Sequence, residues 1–195
     1  MIQKILESPH PMVSDLLSRF IQAAKKVGSQ IAEVQDAQAA GQYIADLAKA
    51  KQVKLVQTSS HDLIDQLSLR SSLEGSGIFV SGPDPERLLV ADLGVSDAVV
   101  GIAETGSLLT HLDPVDSRLV TMLPLTHVAL LQREALVETL EDGIAMTRNR
   151  ILTLHAQGKP SYISWVTGPS RTADIERVLT IGVHGPRELH ILLVP

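Results

Sequence analysis

The chain has 195 residues, of which 44% are hydrophobic and 20% charged, with a formal net charge of -5 and no cysteine. This is the composition of an ordinary globular unit in which disulfides and thiolate-ligated clusters are excluded. The acidic balance offers no basic stripe for nucleic acid, and no apolar run reaches the roughly 20 residues that span a bilayer. With no leader-like start either, the expected address is the cytoplasm, without membrane insertion.

The elements follow in chain order. Residues 12–27 place Val13, Leu16, Leu17, Phe20, Ile21 and Ala24 at helical spacing, and Gly28 supplies a stop. QIAEV predicts a short strand. Asp36 then stands as the N-cap of a helix in which Ile44, Leu47 and Ala48 share a face, and VKLVQ at 53–57 is the next strand. A short helix is expected around HDLIDQLSL, with strands at SGIFVSG and DAVVGI. SLLTH, RLVTMLP and HVALLQ predict three strands close in sequence, and Leu136, Leu140, Ile144, Ile151 and Leu154 mark a long helix from Arg133 to Ala156. SYISWV, the helix ADIERVL and the strand ELHILLV close the chain. The fold class is α/β, a three-layer α/β/α sandwich with a mixed central sheet. Residues 1–30 are expected as a helical extension packed on a domain of residues 31–195.

The chain lacks a phosphate loop, a dinucleotide-binding glycine turn, a nucleophile elbow and a zinc-protease helix. Its seven histidines are dispersed; pairs such as His111 with Asp113, or His184 with His190, have no specific ligand spacing, and no metal site is expected. Three segments carry polar groups into turns. In GIAETGSLL, Gly101 and Gly106 allow close backbone approach, Thr105 and Ser107 bring hydroxyls, and Glu104 is either a pocket acid or base, or a carboxylate pairing an arginine or capping backbone amides. In TGPSRTADIERVL, Gly168, Ser170, Arg171 and Thr172 precede a helix. Ser170 or Thr172 can cap it, while Arg171 either clamps an anion or pairs with an acid. In GVHGPRELH, His184 and Gly185 form a turn whose imidazole either moves a proton or is simply exposed.

Taken together, GIAETGSLL, SRLVTMLPLTHVALL and TGPSRTADIERVLTIGVHGPRELHILL resemble the LUD domain family, among its lactate-utilisation members. The resemblance runs from about residue 50 to the C-terminus. It implies the fold shared by ribose-5-phosphate isomerase, glucosamine-6-phosphate deaminase and CoA transferases. It also implies an accessory subunit of a bacterial system oxidising L-lactate to pyruvate, in which iron-sulfur partner proteins carry the clusters that this chain cannot ligate. On that reading Glu104 and His184 are the candidate catalytic residues. Gly101, Thr105, Gly106, Ser107, Gly168, Ser170, Arg171, Thr172 and Gly185 are the candidate binding residues for a small anionic metabolite or an organic cofactor of unknown identity. A self-sufficient transferase or cyclo-ligase, and a structural or regulatory partner protein, are the alternatives.

Overall fold

The computed structural model describes residues 11–195 apart from 60–61, 74, 83, 89, 112–117 and 174–178. The first half runs α1 (Pro11–Lys26), β1 (Gln30–Glu33), α2 (Ala37–Ala50), β2 (Leu55–Thr58), α3 (Asp62–Asp65), α4 (Leu69–Ser72), β3 (Phe79–Ser81), α5 (Pro85–Leu88) and β4 (Leu93–Ala98). The second runs β5 (Val100–Ile102), β6 (Ser107–His111), β7 (Thr126–Gln132), a 3-10 turn (Arg133–Ala135), β8 (Leu136–Val137), α6 (Leu140–Ala156), β9 (Ile163–Val166), β10 (Arg171–Thr172), β11 (Thr180–Ile181) and β12 (Glu188–Val194).

The molecule is α/β, with a central sheet flanked by helices. Six strands, in the order β1-β12-β7-β4-β2-β3, form that sheet, and every pair is parallel. The expected mixture of parallel and antiparallel pairing is present but partitioned. A second, four-stranded sheet, β8-β5-β6-β9, pairs β5 with β8 in parallel and β6 antiparallel to both β5 and β9.

Period-two alternation decides which face each strand residue serves. On β7 and β12, Val128, Leu130, Leu192 and Val194 meet Ile44, Ala48 and Leu67 from α2 and the segment after α3. Their alternates Ala129, Leu131, Ile191 and Leu193 meet Phe20 and Ala24 of α1, with Leu108 of the second sheet. Each large side chain fully buried in this way contributes ~1.5–3 kcal/mol relative to exposure.

Local signals are honoured where predicted. The Asp36 carboxylate accepts the Ala39 amide at 2.7 Å as the N-cap of α2, and β6 and β12 coincide with SLLTH and ELHILLV. Two predicted elements differ. RLVTMLP is not a strand: Thr121 and Met122 donate back to Arg118 and Leu119 in successive turns, which use the amides a strand would have offered to a neighbour. The helix expected from Arg133 begins only at Leu140. Leu136 and Val137 instead pair with Gly101 and Ile102, and Thr139 with Asp142 forms a capping box that fixes the later start. Of the predicted helix ADIERVL, residues 174–178 lie outside the described residues, and Thr172 sits in the short pair β10–β11. Among the described residues no helix is long and apolar enough to cross a membrane.

Candidate functional site

The glycine-bearing turns converge on the last turns of α1. Gly106, at φ +67°, lies so close to that helix that a Cβ would stand 2.3 Å from the Ala24 nitrogen. Gly168, at φ +72°, is held the same way, with a Cβ position 2.3 Å from the Val27 carbonyl oxygen. The Arg171 guanidinium donates to that same Val27 carbonyl, placing a cation at the negative end of α1. Hydroxyls tie the two turns together: Thr105 Oγ1 donates to Ser107 Oγ at 2.7 Å, and Ser107 Oγ shares a 2.7 Å hydrogen bond with Thr167.

Ser170 and Gly185 meet in a neighbouring turn. The Ser170 amide donates to the Pro186 carbonyl at 2.9 Å, and the Arg187 amide donates to Leu125 at 2.8 Å. Since Leu125 precedes β7 and Arg187 precedes β12, this group lies at the amino ends of the main strands. His184 is exposed in the same turn. Thr172 pairs with Thr180, and Gly101 is packed in the interior, its Cβ position 2.5 Å from Leu131.

Glu104 is drawn elsewhere. It is exposed, and its Oε2 accepts the amide of Leu140, the first residue of α6, at 2.8 Å. Its own amide donates to the Glu138 carbonyl at 3.0 Å. A carboxylate on the first free amide of a helix is satisfied by that bond and by the helix dipole. The structure thus brings Thr105, Gly106, Ser107, Gly168 and Arg171 together around α1, and sets Glu104 on α6.

The opposite edge of the sheet has another character. From β2 the chain moves outward to β3, whereas from β4 it moves the other way, to β7 and then β12. Such a reversal parts the connections and leaves a crevice at the carboxyl ends of the two strands, where open α/β sheets bind ligands. Ser59 and Asp97 stand there, both buried, with Ser59 Oγ 3.5 Å from Asp97 Oδ1 and the Ser59 amide donating to Val95 at 2.8 Å. A cleft of about 700 Å³ opens from Asp97 across the ends of β4, β7 and β12, lined by Gln35, Asp36, Gln66, Gln132 and Arg150 of α6, whose guanidinium lies 3.5 Å from His111 Nδ1. A second hollow of about 590 Å³ starts at Ser59 and includes Asp65, Arg70 and Ser81. Among the described residues no three histidine, aspartate or glutamate side chains converge on a metal position.

The sequence analysis did not single out Ser59, Asp97 or Arg150. A signal for Asp97 was present in LGVSDAVVGI, where an acid ends one apolar strand just before the next begins. Arg150 had none, because it joins the cleft from a helix in another part of the chain. Within the sheet, toward the amino end of β7, Ser96 Oγ hydrogen-bonds His127 Nε2 at 2.9 Å. Complete burial, with a smaller contribution from His190, pushes the His127 imidazole down to about 4.

The family model of the LUD domain matches residues 17–194, taking in most of α1, both sheets and the two glycine turns. The chain belongs to the LUD domain family. The lactate utilization protein C of Exiguobacterium sp. is 33% identical over 118 residues, covering 58% of this chain and 50% of the relative. That of Bacillus licheniformis is 33% identical over 111 residues, covering 56% and 45%. Lactate utilization protein C 1 of Bacillus mycoides is 26% identical over 159 residues, covering 77% and 67%. This LUD domain chain therefore spans about half the length of the first two relatives. A crystal structure of a DUF162 family protein from Deinococcus radiodurans superposes with a TM-score of 0.64 at 20% identity, covering 94% of this chain and 98% of that one, which supports the fold.

Proposed function

We propose that this LUD domain protein serves lactate utilisation as an accessory subunit, binding a small 2-hydroxy acid in the cleft at the carboxyl edge of its main sheet. The observation that carries the site is the crevice at the strand-order reversal, whose cleft is lined by both Asp97 and Arg150. The physiological context comes from the relatives named lactate utilization protein C.

Arg150 supplies the charge and paired donors that hold a carboxylate. Asp97 offers an acceptor to a hydroxyl on the adjacent carbon. Lactate donates such a hydrogen bond, whereas the keto oxygen of pyruvate faces a carboxylate with no proton to share. The cleft therefore favours lactate. With no cysteine in its 195 residues, the chain leaves thiolate-bound iron-sulfur acceptors to partner proteins, in the cytoplasm.

A second placement of the site, around α1, draws on the linked hydroxyls of Thr105 and Ser107. There Arg171 would hold the carboxylate and His184 or Glu104 would move the proton. Titration calorimetry with L-lactate and pyruvate separates the two. We expect Arg150→Ala to weaken lactate binding at least about tenfold, as the loss of a charged hydrogen bond does, with Arg171→Ala leaving affinity unchanged. The reverse pattern returns the site to α1, and a wild-type protein that binds neither acid overturns the proposal.

A further inference from the structure

Helix α6 buries little of its surface. Of its 17 residues only Gly143 and Leu154 are buried. It rests on the second sheet through Gly143, whose Cβ position is 2.6 Å from Ile102 and 3.2 Å from Trp165. Leu140, Ile144 and Ile151 lie on one stripe at helical spacing, the pattern that in sequence predicts a face turned to the core. They are instead 41%, 54% and 37% exposed. Trp165 of β9, on the edge of the second sheet, lies against α6 at Gly143 and is 38% exposed.

We infer that this face is an interface between two copies of the chain, in which α6 packs antiparallel against α6 of the partner. The charge distribution of the helix selects this occupant. Its first turn is acidic, with Glu141 and Asp142, and its last turn carries His155, with Arg148 in its second half and Lys159 just beyond. A twofold axis between residues 147 and 148 places Ile144 against the partner's Ile151. It also sets each acidic first turn beside the other copy's last turn and Lys159, and runs the two helix dipoles antiparallel. The helix is about 25 Å long, so the contact falls below the roughly 800 Å² per partner of tight complexes, and association is expected in the micromolar range. Because Arg150, on the same helix, lines the carboxyl-edge cleft, pairing also steadies that wall of the cleft.

Sedimentation equilibrium at tens of micromolar is expected to give a mass near twice the 21.0 kDa of one chain. The double variant Ile144→Glu/Ile151→Glu should run as a monomer with unchanged circular dichroism, since both residues are exposed. Asn149→Glu, an exposed position about 160° around the helix from the middle of the stripe, should leave the dimer intact. The absence of cysteine allows an independent trap: Thr147→Cys, beside the axis, should form an interchain disulfide on mild oxidation, while Ala156→Cys on the far side should not. A monomeric wild type, a dimer that survives the double substitution, or trapping at Ala156→Cys but not at Thr147→Cys each overturns the inference.

Discussion

Around the last turns of α1 the signature residues are committed to the protein's own backbone, whereas at the carboxyl edge of the sheet polar side chains face an open cleft. Gly106 and Gly168 press on Ala24 and Val27, and Arg171 bonds the Val27 carbonyl. Asp97, Gln132 and Arg150, by contrast, line a hollow of about 700 Å³. A turn rich in glycine and hydroxyls can therefore serve either as a clasp or as a ligand loop, and its sequence looks the same in both cases. The element it faces makes the difference, which here is a helix end.

The largest effect should come from the clasp. Gly106→Ala introduces a Cβ against helix backbone at a positive φ, and we expect a loss of about 3 kcal/mol or more in urea denaturation. A near-neutral result would mean that α1 is not seated as described, and would open the turn to ligands.

Acid should act next, and on the same half of the molecule. His127 is held neutral in the fold with its pKa at about 4, so below the ordinary histidine value the unfolded chain binds a proton that the folded chain refuses. Stability then falls as pH drops from about 6.5 to about 4, by about 1.4 kcal/mol per unit and about 3 kcal/mol in all. His190, its pKa lowered chiefly by burial, pushes the same way. Glu188, held below its usual range chiefly by its hydrogen bond from Lys51, also loses its stabilising contribution on acidification. Melting temperatures across this pH range check the slope, and His127→Gln should flatten it.

At the carboxyl edge the expected effect is on affinity, not on stability. Arg150 is exposed, so Arg150→Ala should leave the melting temperature within a degree or so while lactate affinity falls. A melting point that fell with binding intact would erase the contrast between the two ends. The smallest effect belongs to Glu104→Gln, which removes a charge from the α6 amide of Leu140 and should cost about 0.5 kcal/mol. If it instead abolished lactate binding at unchanged stability, the α1 side would regain its claim as the site.

Much of the architecture was legible in local patterns. Asp36 ahead of an apolar helix face read as an N-cap and is one. The alternation in ELHILLV gave a strand whose two faces serve two cores, Leu192 and Val194 on one side and Leu189, Ile191 and Leu193 on the other. Helix α6 was foreseen as a helix but with too early a start, because Leu136 continues its spacing yet pairs as a strand with Gly101. RLVTMLP misled, being apolar enough for a strand but closing its hydrogen bonds within its own turns. At the site, Glu104 stood out as an acid among small residues, and one of its two foreseen roles, capping a backbone amide, is where its carboxylate lies.

The sequence by itself determined the periodicities, and with them the identity of most helices and strands, the α/β class and the family signature. All of these are set by residues a few positions apart, through side-chain direction and backbone capping. The order of strands in the sheet came only from tertiary structure. That order depends on which distant apolar faces bury each other best, and it decides that β2 and β4 part at Ser59 and Asp97. It also decides that Arg150 of α6 lines the resulting cleft, and that Gly106, Gly168 and Arg171 meet the end of α1.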